Sequence, residues 1–154
     1  MNYRFATPED LKEINNILLN EEPLIKKRLE IAGYEANLVD NDTWKVTIVG
    51  VIDDDIACVG KVQGGSNTGF NYLGFFYVVP LCRKKNIGTE FMNYLISFSY
   101  NNWKAEGIDL FTIDNEPMEK LLNRFDFELS GVYEKKIIDN ETSHDEKRWY
   151  KLYE

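Results

Sequence analysis

Cysteine occurs twice in these 154 residues, proline four times and histidine once. Cys58 and Cys82 lack metal-ligand spacing and form no disulfide framework, so no metal is expected. Both sit in or beside apolar runs, which predicts buried free thiols in a reducing compartment. No stretch approaches the roughly 20 apolar residues of a membrane helix, and no N-terminal apolar run resembles a signal peptide. The expectation is a soluble, cytoplasmic protein with no membrane partner. Cations are the minority charge: 18 Lys and Arg against 26 Asp and Glu give a formal net charge of -8. Such a balance argues against nucleic-acid binding, which needs a basic face. It suits solubility, and it is compatible with a cationic substrate. No internal repeat, low-complexity tract or linker interrupts the chain, so residues 1–154 are expected to form a single domain.

What is present is an apolar fraction of 44% and an aromatic fraction of 14%, those of a folded globular chain. Tyr3 and Phe5 begin a short strand. Thr7-Pro8-Glu9-Asp10 reads as a helix start, and Leu11, Ile14, Ile17 and Leu18 give the helical period. Pro23 ends or resets that helix. A second is expected from Leu24 to about Ala32, with Gly33 as its stop. Trp44 to Ile52 and Ile56 to Gln63 form a hairpin about Asp53-Asp54-Asp55. These adjacent carboxylates lack metal-loop spacing and read as a solvated turn. Phe70 to Val79 is a nearly continuous apolar run, as in a strand buried on both faces. Ile87, Phe91, Leu95 and Phe98 mark an amphipathic helix ending near Gly107. Asp109 to Ile113 is a short strand, and Asn115 to about Arg124 a short helix. Phe127 to Ile138 and Lys147 to Tyr153 pair around a polar loop, Asp139 to Glu146. The order is β-α-α-β-β-β-α-β-α-β-β. Its strand-helix-strand step demands a parallel pair within an otherwise antiparallel sheet. The fold class is therefore α/β, a mixed sheet with helices on both faces.

One segment is out of character with an acidic chain. Val79-Pro80-Leu81-Cys82-Arg83-Lys84-Lys85-Asn86-Ile87-Gly88-Thr89 ends a strand, places three cations in a row and opens into a helix. Unpaired N–H groups and the helix dipole make such a turn a site for phosphate. A diphosphate must approach bare backbone closely, and Gly88 permits that. Asn86 tolerates left-handed backbone better than most residues. Arg83, Lys84 and Lys85 supply neutralising charge, with Arg83 able to bind in two-pronged fashion. No Gly-x-x-x-x-Gly-Lys-Ser/Thr loop occurs, and no Gly-x-Gly-x-x-Gly follows an early strand, which disfavours other nucleotide-binding α/β proteins.

With this turn and this element order, the chain resembles a GNAT-type N-acetyltransferase along essentially its whole length. The family's cofactor motif is Arg or Gln, two residues, Gly, one residue, then Gly or Ala. Here it reads Arg83, Lys84-Lys85, Asn86, Ile87, Gly88, so Asn86 replaces the first glycine. Val78-Val79-Pro80 matches the family's strand end, Thr7-Pro8-Glu9-Asp10-Leu11 its usual opening, and Asn115 through Phe127 its later helix. The resemblance implies a GNAT-like acyl-CoA N-acyltransferase fold and acetyl-CoA as acyl donor. It implies that Arg83, Lys84, Lys85, Asn86, Ile87, Gly88 and Thr89 hold the diphosphate. The backbone of Val78 and Val79 would meet the pantetheine arm, with Asn115 nearby. It also implies direct attack of a small-molecule or peptide amine in a ternary complex, by a monomer or homodimer.

Amine acetylation needs a group to take the ammonium proton and one to protonate or stabilise the leaving thiolate. Many family members carry an acid on the strand before the turn. Phe70 to Val79 has none, and only Tyr72 and Tyr77 could move a proton there. Many also use a tyrosine in the later helix. Alignment through Asn115 and Phe127 places Leu122 at that position and Asp126 at the usual glycine. Either positioning, water and other groups suffice, or the chain is a non-catalytic acyl-CoA-binding or regulatory domain on the same fold. His144 reads as an exposed loop residue. Glu21 and Glu22 read as an acidic turn between the first helices, and Tyr133 and Tyr150 as sheet packing.

Overall fold

The computed structural model describes residues 1–20, 41–65, 68–139 and 142–154. The expected helix from Leu24 to about Ala32 with its stop at Gly33, and Glu21 and Glu22, lie outside the described residues. Among the described residues seven strands form one sheet: β1 (Asn2–Phe5), β2 (Lys45–Ile52), β3 (Asp55–Gln63), β4 (Phe70–Val78), β5 (Gly107–Ile113), β6 (Glu128–Asp139) and β7 (Thr142–Leu152). Their order is β1-β2-β3-β4-β5-β7-β6. Only β4 and β5 run parallel, joined through a 3-10 turn at Pro80–Cys82 and helix α2 (Ile87–Asn102). The mixed sheet with helices on both faces is thus as expected from the element order.

Helix α1 (Asp10–Leu19) covers one face. Its Ile14 packs with Val49, Ile56, Val59, Phe75 and Tyr77. The opposite face carries α2 and α3 (Glu116–Arg124), whose Phe91, Met92, Leu95, Leu121 and Leu122 share a core with Val46, Ile48, Val62, Leu73, Ile108 and Leu110. Local chemistry fixes the joints. Asp53 and Asp54 both hold positive φ, 49° and 68°, in the two-residue turn between β2 and β3. Left-handed pairs of this kind match the twist of a hairpin. Helix α3 starts at Asn115, whose side chain accepts from Met118 N–H at 3.3 Å. It ends with Asp126 at φ 60°. Asp126 N–H donates to Asn123 O and Phe127 N–H to Leu122 O, so Asp126 fills the left-handed place that glycine usually takes at a helix end.

Three boundaries differ from expectation. Helix α2 stops at Asn102, and Gly107 opens β5 instead of ending the helix. A Cβ on Gly107 would collide with Lys151 O of the neighbouring strand, so its glycine serves strand packing. Strand β7 begins at Thr142, so most of the expected loop from Asp139 to Glu146 is strand. Pairing with β6, in register at Ile137 with His144 and Tyr133 with Glu146, overrides the weak strand preference of these polar residues. Strand β4 also contains a bulge. Lys61 pairs with Phe75 but Val62 with Leu73, leaving Gly74 as the extra residue. Leu73 therefore packs toward α2, while Phe75 packs toward α1.

Candidate active site

Strands β4 and β5 pair only at Phe70 with Gly107, Asn71 with Ile108 and Tyr72 with Asp109. Beyond these three pairs they part, just where Gly74 bends β4. The opening is a cleft of about 110 Å³ lined by Leu73 to Phe76, Leu110 to Ile113, Asn115 and Met118. Asn115 is thus at the cleft wall while also capping α3.

The basic turn lies past the end of β4. Lys84 and Asn86 both adopt left-handed backbone, with φ of 62° and 65°. The Asn86 side chain makes no cap hydrogen bond. Glu90 N–H is the first in α2 to reach back, to Asn86 O at 3.1 Å. The N–H groups of Ile87, Gly88 and Thr89 therefore have no acceptor within the helix. A Cβ on Gly88 would meet Val78 Cγ2 at 3.7 Å and Leu121 Cδ2 at 4.0 Å, ordinary contacts. Packing inside the protein does not require glycine there. Lys84 and Lys85 are exposed. Arg83 folds back instead: Nε donates to Val78 O at 2.9 Å, and its guanidinium lies 5.4 Å from the centre of the Tyr77 ring.

Val78 and Val79 are not equivalent. Val79 N–H donates to Ala57 O at 2.9 Å, and Val79 O accepts from Cys82 N–H at 2.8 Å. Alternation along β4 turns the backbone of Val78 the other way, toward the parted edge.

The two tyrosines of β4 also differ. Tyr77 is buried with Phe75 under α1. Tyr72 is half-buried where the strands part, its ring edge-on to Phe111 at 6.2 Å. Burial pushes its pKa up, helped by the negative charges of Asp109 and Glu146. The raised pKa keeps this phenol protonated and makes it a weaker acid, so it can donate a hydrogen bond. Leu122 is fully buried in the core and contributes no acid chemistry.

On the α1 side, β5 and β7 carry a polar cluster. Arg148 Nη2 and Nε donate to Asp109 Oδ2 at 2.8 and 3.1 Å, and the guanidinium lies against Phe70 and Tyr150. Tyr150 donates to Glu128 at 2.6 Å, and Tyr133 is exposed. His144 is not an exposed loop residue. It stands on β7 with its side chain 12% exposed, Nδ1 2.8 Å from Asp114 Oδ2. Reasoning from the sequence missed both Asp114 and the bulge at Gly74. A glycine inside an apolar run is the signal for the latter. The former pairs across 30 residues and has no local signature. Cys58 is buried, with its thiol pushed up to about 12 mainly by that burial. Cys82 is half-buried, so only the first thiol is fully enclosed.

No protein-family model matches the chain, and no curated protein matches it in sequence. Solved structures match it in shape. Arabidopsis thaliana NAA60 in complex with acetyl-CoA superposes with a TM-score of 0.74 over 98% of this chain and 97% of that one, at 16% identity. The acetyltransferase of GNAT family from Streptococcus pneumoniae gives 0.74 over 99% of both chains, also at 16% identity. The Salmonella typhimurium acetyltransferase that modifies an N-terminal serine of a 50S ribosomal subunit protein gives 0.75 over 99% and 94%, at 12% identity. The parted parallel pair, with a helix N-terminus beyond it, is thus set in the fold of the GNAT-type acetyltransferases.

Proposed function

We propose that this chain is an N-acetyltransferase that moves an acetyl group from acetyl-CoA to a primary amine by direct attack in a ternary complex. The observation that carries the reading is the parting of β4 from β5 immediately before a helix whose first N–H groups are open. An extended pantetheine arm fits such a gap as an added strand, bonding to backbone that β5 leaves unpaired. Val78, facing the parted edge, is the chief partner, and Asn115 borders the same space. Two neighbours in the comparison, NAA60 and the Salmonella enzyme, support acetyl-CoA as donor and an amine on a peptide or protein as acceptor.

The diphosphate would sit on the N–H groups of Ile87, Gly88 and Thr89, with Lys84 and Lys85 neutralising it. Arg83 would exchange Val78 O for a phosphate oxygen, a stronger acceptor. Tyr72, held protonated, would donate a hydrogen bond to the leaving sulfur. Substituting Gly88→Asp places a carboxylate in the diphosphate position. It is expected to abolish saturable acetyl-CoA binding in calorimetry, whereas Gly88→Ala retains it. Equal affinity of Gly88→Asp and wild type would remove the cradle assignment.

The burial of Leu122 and the lack of a carboxylate on β4 favour a second reading, an acyl-CoA-binding domain without turnover. Release of CoA with any primary amine, followed with a thiol reagent, would eliminate it.

A further inference from the structure

The single imidazole of the chain is oriented by a carboxylate and keeps its other nitrogen unused. His144 Nδ1 faces Asp114 Oδ2 at 2.8 Å. Nε2 is sealed from solvent and has no hydrogen-bond partner. An ionised carboxylate only accepts, so Nδ1 carries the proton and Nε2 presents a bare lone pair. A buried acceptor in this state is an open position for a donor.

Its place in the fold gives the donor a direction. Lys147 and Trp149 of β7 point to the α2 face, reaching Glu119 and Thr112. Strand alternation puts His144, Glu146, Arg148 and Tyr150 on the opposite face, shared with Tyr72 and Phe111. Asp114 lies between Ile113 and Asn115, both in the cleft wall. The imidazole is therefore about one strand spacing, ~5 Å, from the β5 side of the cleft. Among the described residues, the ionisable groups next to it on this face by register are Asp114, Glu146 and Tyr133 of β6, which pairs with Glu146; Arg148 and Tyr72 lie farther along the sheet.

We propose that His144 is the base for the incoming amine and Asp114 its positioning residue; this rests on the acetyltransferase reading. Nε2 takes one proton from the acceptor ammonium. The freed nitrogen lone pair forms the bond to the thioester carbonyl carbon. As the C–S bond breaks, the new amide nitrogen loses a second proton, which ends on the thiolate sulfur. The imidazolium, held by Asp114, gives its proton to water that reaches Nε2 when the product leaves.

The test follows CoA release from acetyl-CoA with a panel of primary amines and short peptides with free N-termini, across the neutral pH range. His144→Gln is expected to lower kcat/KM about 100-fold, remove the ascending limb of the pH profile and leave acetyl-CoA affinity unchanged. Because the chain has one histidine, its Cε1–H NMR signal identifies itself. In wild type its titration should coincide with the limb, and in Asp114→Asn the two should move together. A merely structural pair would change the melting temperature and leave the limb in place. Wild-type kcat/KM in His144→Gln overturns the proposal. If that variant does not fold, a limb that fails to coincide with the imidazole titration overturns it instead. Failure of the parent reading looks different: wild type then binds no acetyl-CoA or releases no CoA with any amine, and both fall.

Discussion

The carboxylate of Asp10 accepts from Arg4 Nη1 and Nη2 at 2.7 and 2.9 Å, and from the N–H and hydroxyl of Thr7 at 2.7 and 3.2 Å. The Arg4 bond, then the Thr7 N–H, outweigh burial and lower its pKa from 3.8 to about 2. Because the folded value is the lower one, the carboxylate stabilises the fold above about pH 4, and that contribution disappears as pH falls through about 2. Asp10→Asn is expected to cost about 1–2 kcal/mol near neutrality. It should also flatten the loss of stability between those two pH values, as measured by urea unfolding. Thr7 and Asp10 were legible as a helix start because the signal is local. The turn residues were harder to read. Of six non-glycine residues with left-handed backbone among the described ones, five are Asp or Asn: Asp53, Asp54, Asn86, Asp114 and Asp126. Where a glycine would announce a turn, this chain uses a short polar side chain that tolerates the same geometry. Asn86 and Asp126, which look like departures from a motif, occupy the conformation the motif needs.

Helix α2 rests on β3 through a place where a side chain is missing. A Cβ on Gly60 would stand 2.7 Å from Leu95 Cδ1 and 2.9 Å from Phe91 Cζ, both in fully buried side chains. Gly60→Val should therefore push α2 from the sheet and lower stability by about 1–3 kcal/mol, read as a shift in the urea midpoint. Helix α2 sets the N–H groups of the basic turn, so the same variant should weaken the proposed acetyl-CoA binding without touching the ligand directly. The three described helices were legible from their apolar period, and β2 to β4 from their apolar runs. The last ribbon was not, since Thr142 to Glu146 are polar and become strand only by pairing with β6. That pairing also brings His144 to Asp114, a contact no local pattern announces.

Across the whole sheet, three parallel pairs hold β4 to β5 and seven antiparallel pairs hold β5 to β7. The molecule is thus firmly joined on either side of the cleft and thinly joined across it. The parallel step was legible from the strand-helix-strand order; where the two strands part was not. Parting depends on the register at Gly74: the glycine signals an irregularity in β4 but not where its pairing with β5 ends. Asp109 and Arg148, paired beside the last joined position, and Asn71, hydrogen-bonded to Tyr153 at 2.9 Å, fasten the closed end. The open end is left to the basic turn.

The extra residue in β4 has a consequence for how this strand tolerates change. Gly74 acts as a half-step in a two-sided code: letters before it are read against one layer, and letters of the same parity after it against the other. A point substitution leaves that reading frame intact. Its Cβ would approach Tyr72 Cε1 at 3.2 Å, so Gly74→Ala should be a mild change. Deleting Gly74 removes the extra residue: Leu73 and Phe75 become consecutive on opposite faces, so both halves keep their layers. We expect the deletion, like the substitution, to retain cooperative thermal unfolding. By this rule, removing Gly74 and Phe75 together would make Leu73 and Phe76, which share a face, consecutive and turn over one half of the strand; that double deletion is expected to abolish cooperative thermal unfolding.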